Sequence, residues 1–273
     1  MTRVAVVQLD AAGGPDAAIE DAVAAVEEAA ARGAELVVLP EYSSGWAPTL
    51  GPSLAVPKDG AFVDALRGVA RRCRVGLIAG IVTPGAEPGA NQEDARSVNL
   101  ALIIGPDGTI SGDYAKVHLF DAFGTCESDA LRAGDPGAAP AVIDVSGLRF
   151  GVLTCYDLRF PESARRLADA GSQVLVVIAA WASGPGKVEQ LRVLARARAI
   201  ENTSYLLLAS QHGEGRAGHS AVIDPLGVLL AEAGDDAAVL VADLDDQVVR
   251  DVRARVPVLA HRRYGVVPLA PLK

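Results

Sequence analysis

The stretch LRFGVLTCYDLRFPESARRLADAGSQVLVVIAA, residues 148–180, decides the fold. An apolar run at 148–154 leads into a cluster of aromatic and charged residues. Pro161 then opens a mixed apolar and charged segment to residue 170, which Gly171 breaks. A second apolar run, SQVLVVIA, follows at 172–179. Short apolar, partly β-branched runs on either side of a helix-length segment read as strand, helix, strand. Proline is favoured in the first turn of a helix and glycine just past its end, which fits both boundaries.

The same alternation extends outward. Residues 3–9 (RVAVVQL) read as a strand and 15–32 as a helix, with Ile19, Val23 and Val26 on one stripe and Gly33 as the stop. Strands are expected at 35–39 and 75–82 around a helix at 59–72. Two strands, 97–104 and 109–114, flank the turn Gly105-Pro106-Asp107-Gly108. Downstream come a helix at 187–201, a strand at 204–210 and a hairpin of 221–224 with 228–231 around Pro225-Leu226-Gly227. A last strand at 238–243 and a short helix at 245–253 follow. The stretch 83–91 reads as a surface loop. No linker composition and no repeat divides the chain, so one α/β domain over residues 1–273 is expected, with helices covering the sheet faces. Interleaved hairpins and helical crossovers suggest two layers of sheet.

Composition narrows the class. Of 273 residues, 50% are hydrophobic, which argues against intrinsic disorder. The net charge of -9 argues against nucleic acid or an anionic membrane as partner. No apolar run reaches the ~18 residues of a membrane helix. The N-terminus lacks the pattern of a signal peptide. Three cysteines without a CxxC pair do not make a disulfide framework, so a reducing, cytoplasmic setting is expected.

Three segments at strand ends carry reactive groups: VVLPEY with Glu41, YAKVHLF with Lys116 and His118, and GVLTCYDLRFPE with Cys155. Each has an ordinary reading when taken alone: a loop glutamate, a solvated strand face, a small buried thiol. Strand alternation would set Lys116 and His118 on one face. Taken together, the three segments make a nucleophile with its activators. A free thiol is mostly protonated at neutral pH and needs a base or cation beside it. Glu41 can take the proton, and Lys116 can hold the thiolate or an oxyanion. A turn straight after an apolar strand would expose Cys155 as in a nucleophile elbow. A Cys155–His118 pair is the chemical rival. The glycines of Gly213-Glu214-Gly215-Arg216-Ala217-Gly218 match a dinucleotide fingerprint in form only, since a strand rather than a helix follows. The four histidines show no metal-ligand spacing.

This motif set resembles the nitrilase superfamily of carbon–nitrogen hydrolases, on LPEYS, YAKVHLF and CYDLRFPE. Further similarity lies in VAVVQLD, RARAIEN (196–202), GHSAVIDPLG (218–227) and VPVLAHRR (256–263). The resemblance implies a four-layer α-β-β-α sandwich and a Glu41-Lys116-Cys155 triad. It also implies a supporting Glu127, an oxyanion contact from the Tyr156 N–H, no metal or organic cofactor, and a homodimer or larger assembly. The amidase branch, which includes deaminated-glutathione amidase and omega-amidase, is the most similar. That implies a small amide with a distal carboxylate, for which Arg159 is the nearest cation in sequence; an ion pair of Arg159 with Asp157 or Glu162 is the alternative. A nitrilase, an N-carbamoyl amidohydrolase or a catalytically silent scaffold are the other readings. Two departures stand out. The segment between Lys116 and Glu127 is short, and Gly184-Pro185-Gly186-Lys187-Val188-Glu189 stands where the family has a tryptophan.

Overall fold

A computed structural model describes residues 1–85 and 96–269. In chain order the elements begin with β1 (Thr2–Gln8), α1 (Pro15–Ala31), β2 (Leu36–Val38), α2 (Ala61–Cys73) and β3 (Gly76–Thr83). Next come β4 (Val98–Ile104), β5 (Ile110–Ala115), a two-stranded ribbon of β6 (Asp121–Ala122) and β7 (Thr125–Cys126), and β8 (Val142–Val145). Then follow β9 (Leu148–Thr154), α3 (Pro161–Asp169), β10 (Val174–Ala179), α4 (Lys187–Asn202) and β11 (Tyr205–Ser210). The chain continues through β12 (Ala221–Ile223), β13 (Leu229–Glu232), β14 (Ala238–Leu244), α5 (Asp246–Arg255) and α6 (Val258–His261).

Two six-stranded sheets form, in the orders β14-β1-β2-β3-β4-β5 and β13-β12-β11-β10-β9-β8. Each is built around three parallel strands: β1, β2 and β3 in one, β9, β10 and β11 in the other. Antiparallel strands complete both edges.

The period of two along each strand sorts the side chains into layers. In β1, Ala5 and Val7 pack with Ala22 and Val26 of α1 and Val63 and Leu66 of α2. Val4 and Val6 face the other way, onto Phe150, Val152, Val176 and Ile178 of the second sheet. The alternate residues of that sheet, among them Leu153, Leu175 and Val177, pack beneath α3 and α4 with Leu191 and Ala195. Both faces of the central strands are therefore buried, which is why they read as unbroken apolar runs. The layers are helix, sheet, sheet, helix, as the family resemblance implies.

Most expected elements lie within two residues of their observed bounds. Three findings differ. Edge strand β8 and the β6–β7 ribbon were not expected; β8 is half exposed and only four residues long, so its apolar signal is weak. The loop expected at 83–91 begins later, because Thr83 still belongs to β3; beyond residue 85 it lies outside the described residues. Strand β5 ends at Ala115, so Lys116 and His118 do not share a strand face. No helix among the described residues is long and apolar enough to cross a membrane.

Candidate active site

The parallel strands of both sheets end on the same side of the molecule, and the reactive residues follow those ends. Glu41 comes three residues after β2, Lys116 directly after β5, and Cys155 directly after β9. Asn99 sits near the start of antiparallel β4, so it reaches the same end. All of Glu41, Lys116, Glu127, Cys155, Tyr156 and Arg159 line one cavity of about 300 Å³.

Two local devices bring the chain into position. The Glu41 loop crosses β3 at Gly80, where an added Cβ would stand 2.5 Å from the Glu41 Cα and 2.7 Å from the Pro40 carbonyl oxygen. Only glycine permits that approach. The second is backbone conformation: Tyr42 and Cys155 both have positive φ, 56° and 47°. Non-glycine residues in this region cost on the order of 1–3 kcal/mol and cluster at functional sites. The short helical turn Cys155–Arg159 begins at the cysteine itself. The strand-to-turn geometry is that of a nucleophile elbow, but the turn does not expose Cys155 as expected: the residue is only 8% exposed and packs with Leu153 and Leu158.

The polar groups form a closed network. Lys116 Nζ donates to Glu41 Oε1 at 3.0 Å and to Glu127 Oε1 and Oε2 at 2.9 and 2.8 Å. Glu41 Oε1 also accepts from Asn99 Nδ2 at 2.7 Å, and its Oε2 from the Ala180 N–H at 2.7 Å. Glu127 accepts from the Tyr42 hydroxyl and from the Phe120 N–H. Gln211 Nε2 donates to the carbonyl oxygens of Glu41 and Tyr42, fixing the loop backbone. Glu41, Lys116 and Glu127 are at most 4% exposed. Buried charges this close need such pairing, since an unpaired one would be costly to desolvate.

The titration behaviour follows from burial and neighbours. Burial alone would lower the Lys116 pKa, but the carboxylates of Glu41 and Glu127 outweigh it and hold the ammonium above the usual lysine range. Burial pushes the Cys155 thiol well up; Glu41 adds to the rise and Lys116 opposes it. Cys155 is therefore held as a thiol beside a carboxylate, rather than as a preformed thiolate. Burial, then the negative charge of Glu127 and Glu41, likewise keeps the Tyr42 hydroxyl protonated.

His118 does not pair with the cysteine. Its Nδ1 lies 2.7 Å from Asp157 Oδ1 and its ring stacks on Phe160, with centroids 3.7 Å apart. Asp157 is fully buried and also accepts from the His118 N–H, the Tyr114 hydroxyl and the Thr154 N–H. It thus ties the chain after β5 to the end of β9. Arg159 makes no ion pair with Asp157 or Glu162. Its Nη2 donates to Gln190 Oε1 at 2.8 Å, and its guanidinium lies over the Trp181 ring, 4.9 Å from the centroid. Of the remaining cysteines, Cys73 packs beside the outer core at the end of α2, and Cys126 is exposed. Gly215, in the loop with the dinucleotide-like glycines, forms part of the cavity wall.

Sequence reading missed several wall residues. Trp46 lies under Arg216, whose guanidinium is 4.0 Å from the ring centroid and bonds Asp10 and Gln211. Asn99, which bonds Glu41 but does not line the cavity, had no motif to mark it. Lys187 lies within the stretch that departs from the family pattern, and that departure was the available signal.

Comparison with known proteins identifies the family. The family described as carbon-nitrogen hydrolase matches residues 3–254. The deaminated glutathione amidase of Escherichia coli O157:H7 is 39% identical over 76% of this chain and 75% of its own. The human omega-amidase NIT2 is 32% identical over 96% of this chain and 95% of its own. The solved structure of the Caenorhabditis elegans NitFhit protein superposes with a TM-score of 0.86 at 30% identity, covering 96% of this chain and 65% of that one, so this chain spans about two thirds of that protein's length. With a fold, a motif order and a family match that run over nearly its whole length, the chain belongs to the carbon–nitrogen hydrolase family, within the nitrilase superfamily.

Proposed function

We propose that this hydrolase acts as an amidase on a small amide with a distal carboxylate, through a thioester on Cys155. The observation that carries the reading is the buried Glu41–Lys116–Glu127 array set against a cysteine at positive φ on the cavity wall. The thiol attacks the amide carbonyl while Glu41 takes its proton, so the Sγ–C bond forms without a preformed thiolate. Lys116 supplies positive charge beside the developing oxyanion, and the Tyr156 N–H, in the first turn of a helical segment, donates to it. The C–N bond then breaks, and the leaving amine departs with the proton held by Glu41. Water, deprotonated by Glu41, attacks the thioester; the acid leaves and the thiol is restored. Glu127 holds Lys116 in place throughout. The scheme draws on no metal or organic cofactor.

The two relatives above are named for deaminated glutathione and for omega-amides, which supports an amide of this class as the substrate. A cavity of about 300 Å³ has room for on the order of ten water-sized groups, which suits a short acyl chain. The test is ammonia or amine release from 2-oxoglutaramate, deaminated glutathione and glutaramate, beside a nitrile and an N-carbamoyl compound. Turnover of at least one amide is expected. Cys155→Ala is expected to fold normally by circular dichroism and to lose activity by at least ~10³-fold. Turnover of the nitrile or the N-carbamoyl compound with every amide untouched overturns the reading.

A further inference from the structure

Five charged side chains line the cavity. Three of them, Glu41, Lys116 and Glu127, are bonded to one another, two carboxylates around one ammonium. The other two, Arg159 and Lys187, are both cations, and among the described residues neither has a carboxylate partner. Arg159 bonds only the neutral amide of Gln190, and its Nε is buried without any hydrogen-bond partner. Lys187 opens α4 after Gly186, whose φ of 70° turns the chain. Its Nζ stands 3.3 Å from the centroid of the Phe123 ring and 5.7 Å from that of Phe120. Both cations therefore rest on aromatic faces, Arg159 on Trp181 and Lys187 on Phe123. Partial burial lowers the Lys187 pKa, and the positive charge of Arg159 lowers it further, so the two repel one another.

Two like charges at one wall of a small cavity, held without a counter-ion, are completed by an anion between them. Resting on the amidase reading, we propose that Lys187 and Arg159 jointly bind the distal carboxylate of the acyl group, and that Lys187 determines specificity for acidic over neutral amides. Gln190, three residues along α4 from Lys187, holds Arg159 towards the same place, so one helix start sets both cations. Lys187 and Cys155 line the same cavity, which puts this anion site close to the nucleophile. The acid amide selected is therefore short.

The experiment compares kcat/KM for glutaramate with that for its neutral isostere glutaramide, in wild type, Lys187→Met and Lys187→Arg. Wild type is expected to prefer the acid by at least ~10-fold, about the effect of one charged hydrogen bond. In Lys187→Met the ratio is expected to fall towards one, chiefly through a raised KM for glutaramate. Lys187→Arg is expected to restore most of the preference, which a merely structural role for the lysine would not predict. An acid preference kept intact in Lys187→Met overturns the assignment of Lys187 and leaves the amidase reading standing. No turnover of either compound or of any other amide by wild type overturns both.

Discussion

At the scale of single residues, the site is a buried charge balance centred on Lys116. Its three ammonium protons are all directed at carboxylate oxygens. Lys116→Met would leave Glu41 and Glu127 buried without their cation, at a cost of roughly 3–5 kcal/mol at neutral pH. Urea denaturation at neutral pH is expected to show this loss as a lower midpoint. An unchanged midpoint at neutral pH would mean the cluster contributes nothing. In the wild type the raised Lys116 pKa gives an alkaline limb. Its stabilisation is complete below the ordinary lysine value of ~10.5 and declines as the pH rises from there towards the native value. The raised Cys155 pKa acts in the same direction, from about pH 8.5 upward. A direct measure is the ultraviolet thiolate band. Wild type minus Cys155→Ala is expected to stay flat from pH ~6 to ~8.5, and an ionisation inside that window would contradict a resting thiol.

At the scale of elements, the passage of the Glu41 loop over β3 makes Gly80 a site-defining residue without chemistry of its own. In Gly80→Ala the new methyl meets three main-chain atoms of the Pro40–Tyr42 segment, at 2.5–2.9 Å, and main chain cannot swing away as a side chain can. A stability loss of ~1–3 kcal/mol is expected, together with a fall in kcat because Glu41 is displaced. Gly112→Ala in β5 is the control: its methyl meets only Ile103 Cδ1, at 3.8 Å, and both quantities should hold. The elements also show how far the sequence could be read. Runs such as VAVV and VLVVIA announced central strands, because burial on both faces leaves little room for polar residues. Glu41, Lys116 and Cys155 stood out because each follows a strand end within a recognisable motif, whereas Glu127 stood out only through the family resemblance. Period-two logic failed at Lys116 and His118 because it assumes that the strand continues; the chain leaves the sheet after Ala115, and Asp157 pulls His118 aside. Asn99 stayed invisible for a different reason, and Lys187 showed only as part of a departure from the family pattern. Their meaning lies in what approaches them from other parts of the chain, and no local pattern records that.

At the scale of the whole molecule, the site depends on the seam between the two sheets. Glu41, Asn99 and Lys116 come from one sheet, while Cys155 and the Ala180 N–H that holds Glu41 come from the other. The distance from Glu41 to Cys155 is thus set by how the inner faces pack, with Phe150 and Val176 against Val6 and Val38. The outer layers carry no such constraint. Val26 of α1 packs on the far face of the first sheet, away from the seam. Both Phe150 and Val26 are fully buried, so truncating either costs stability: ~3–5 kcal/mol for Phe150→Ala and on the order of 1–3 kcal/mol for Val26→Ala. Their effects on catalysis should separate. Measured well below each variant's melting temperature, Val26→Ala is expected to keep its kcat. Phe150→Ala is expected to lose kcat by ~10-fold or more, since small misplacements of reacting groups are costly. Equal kcat losses in the two folded variants would show that the sheets act as one rigid block, and that the inner seam holds no special control over the approach of Glu41 to Cys155.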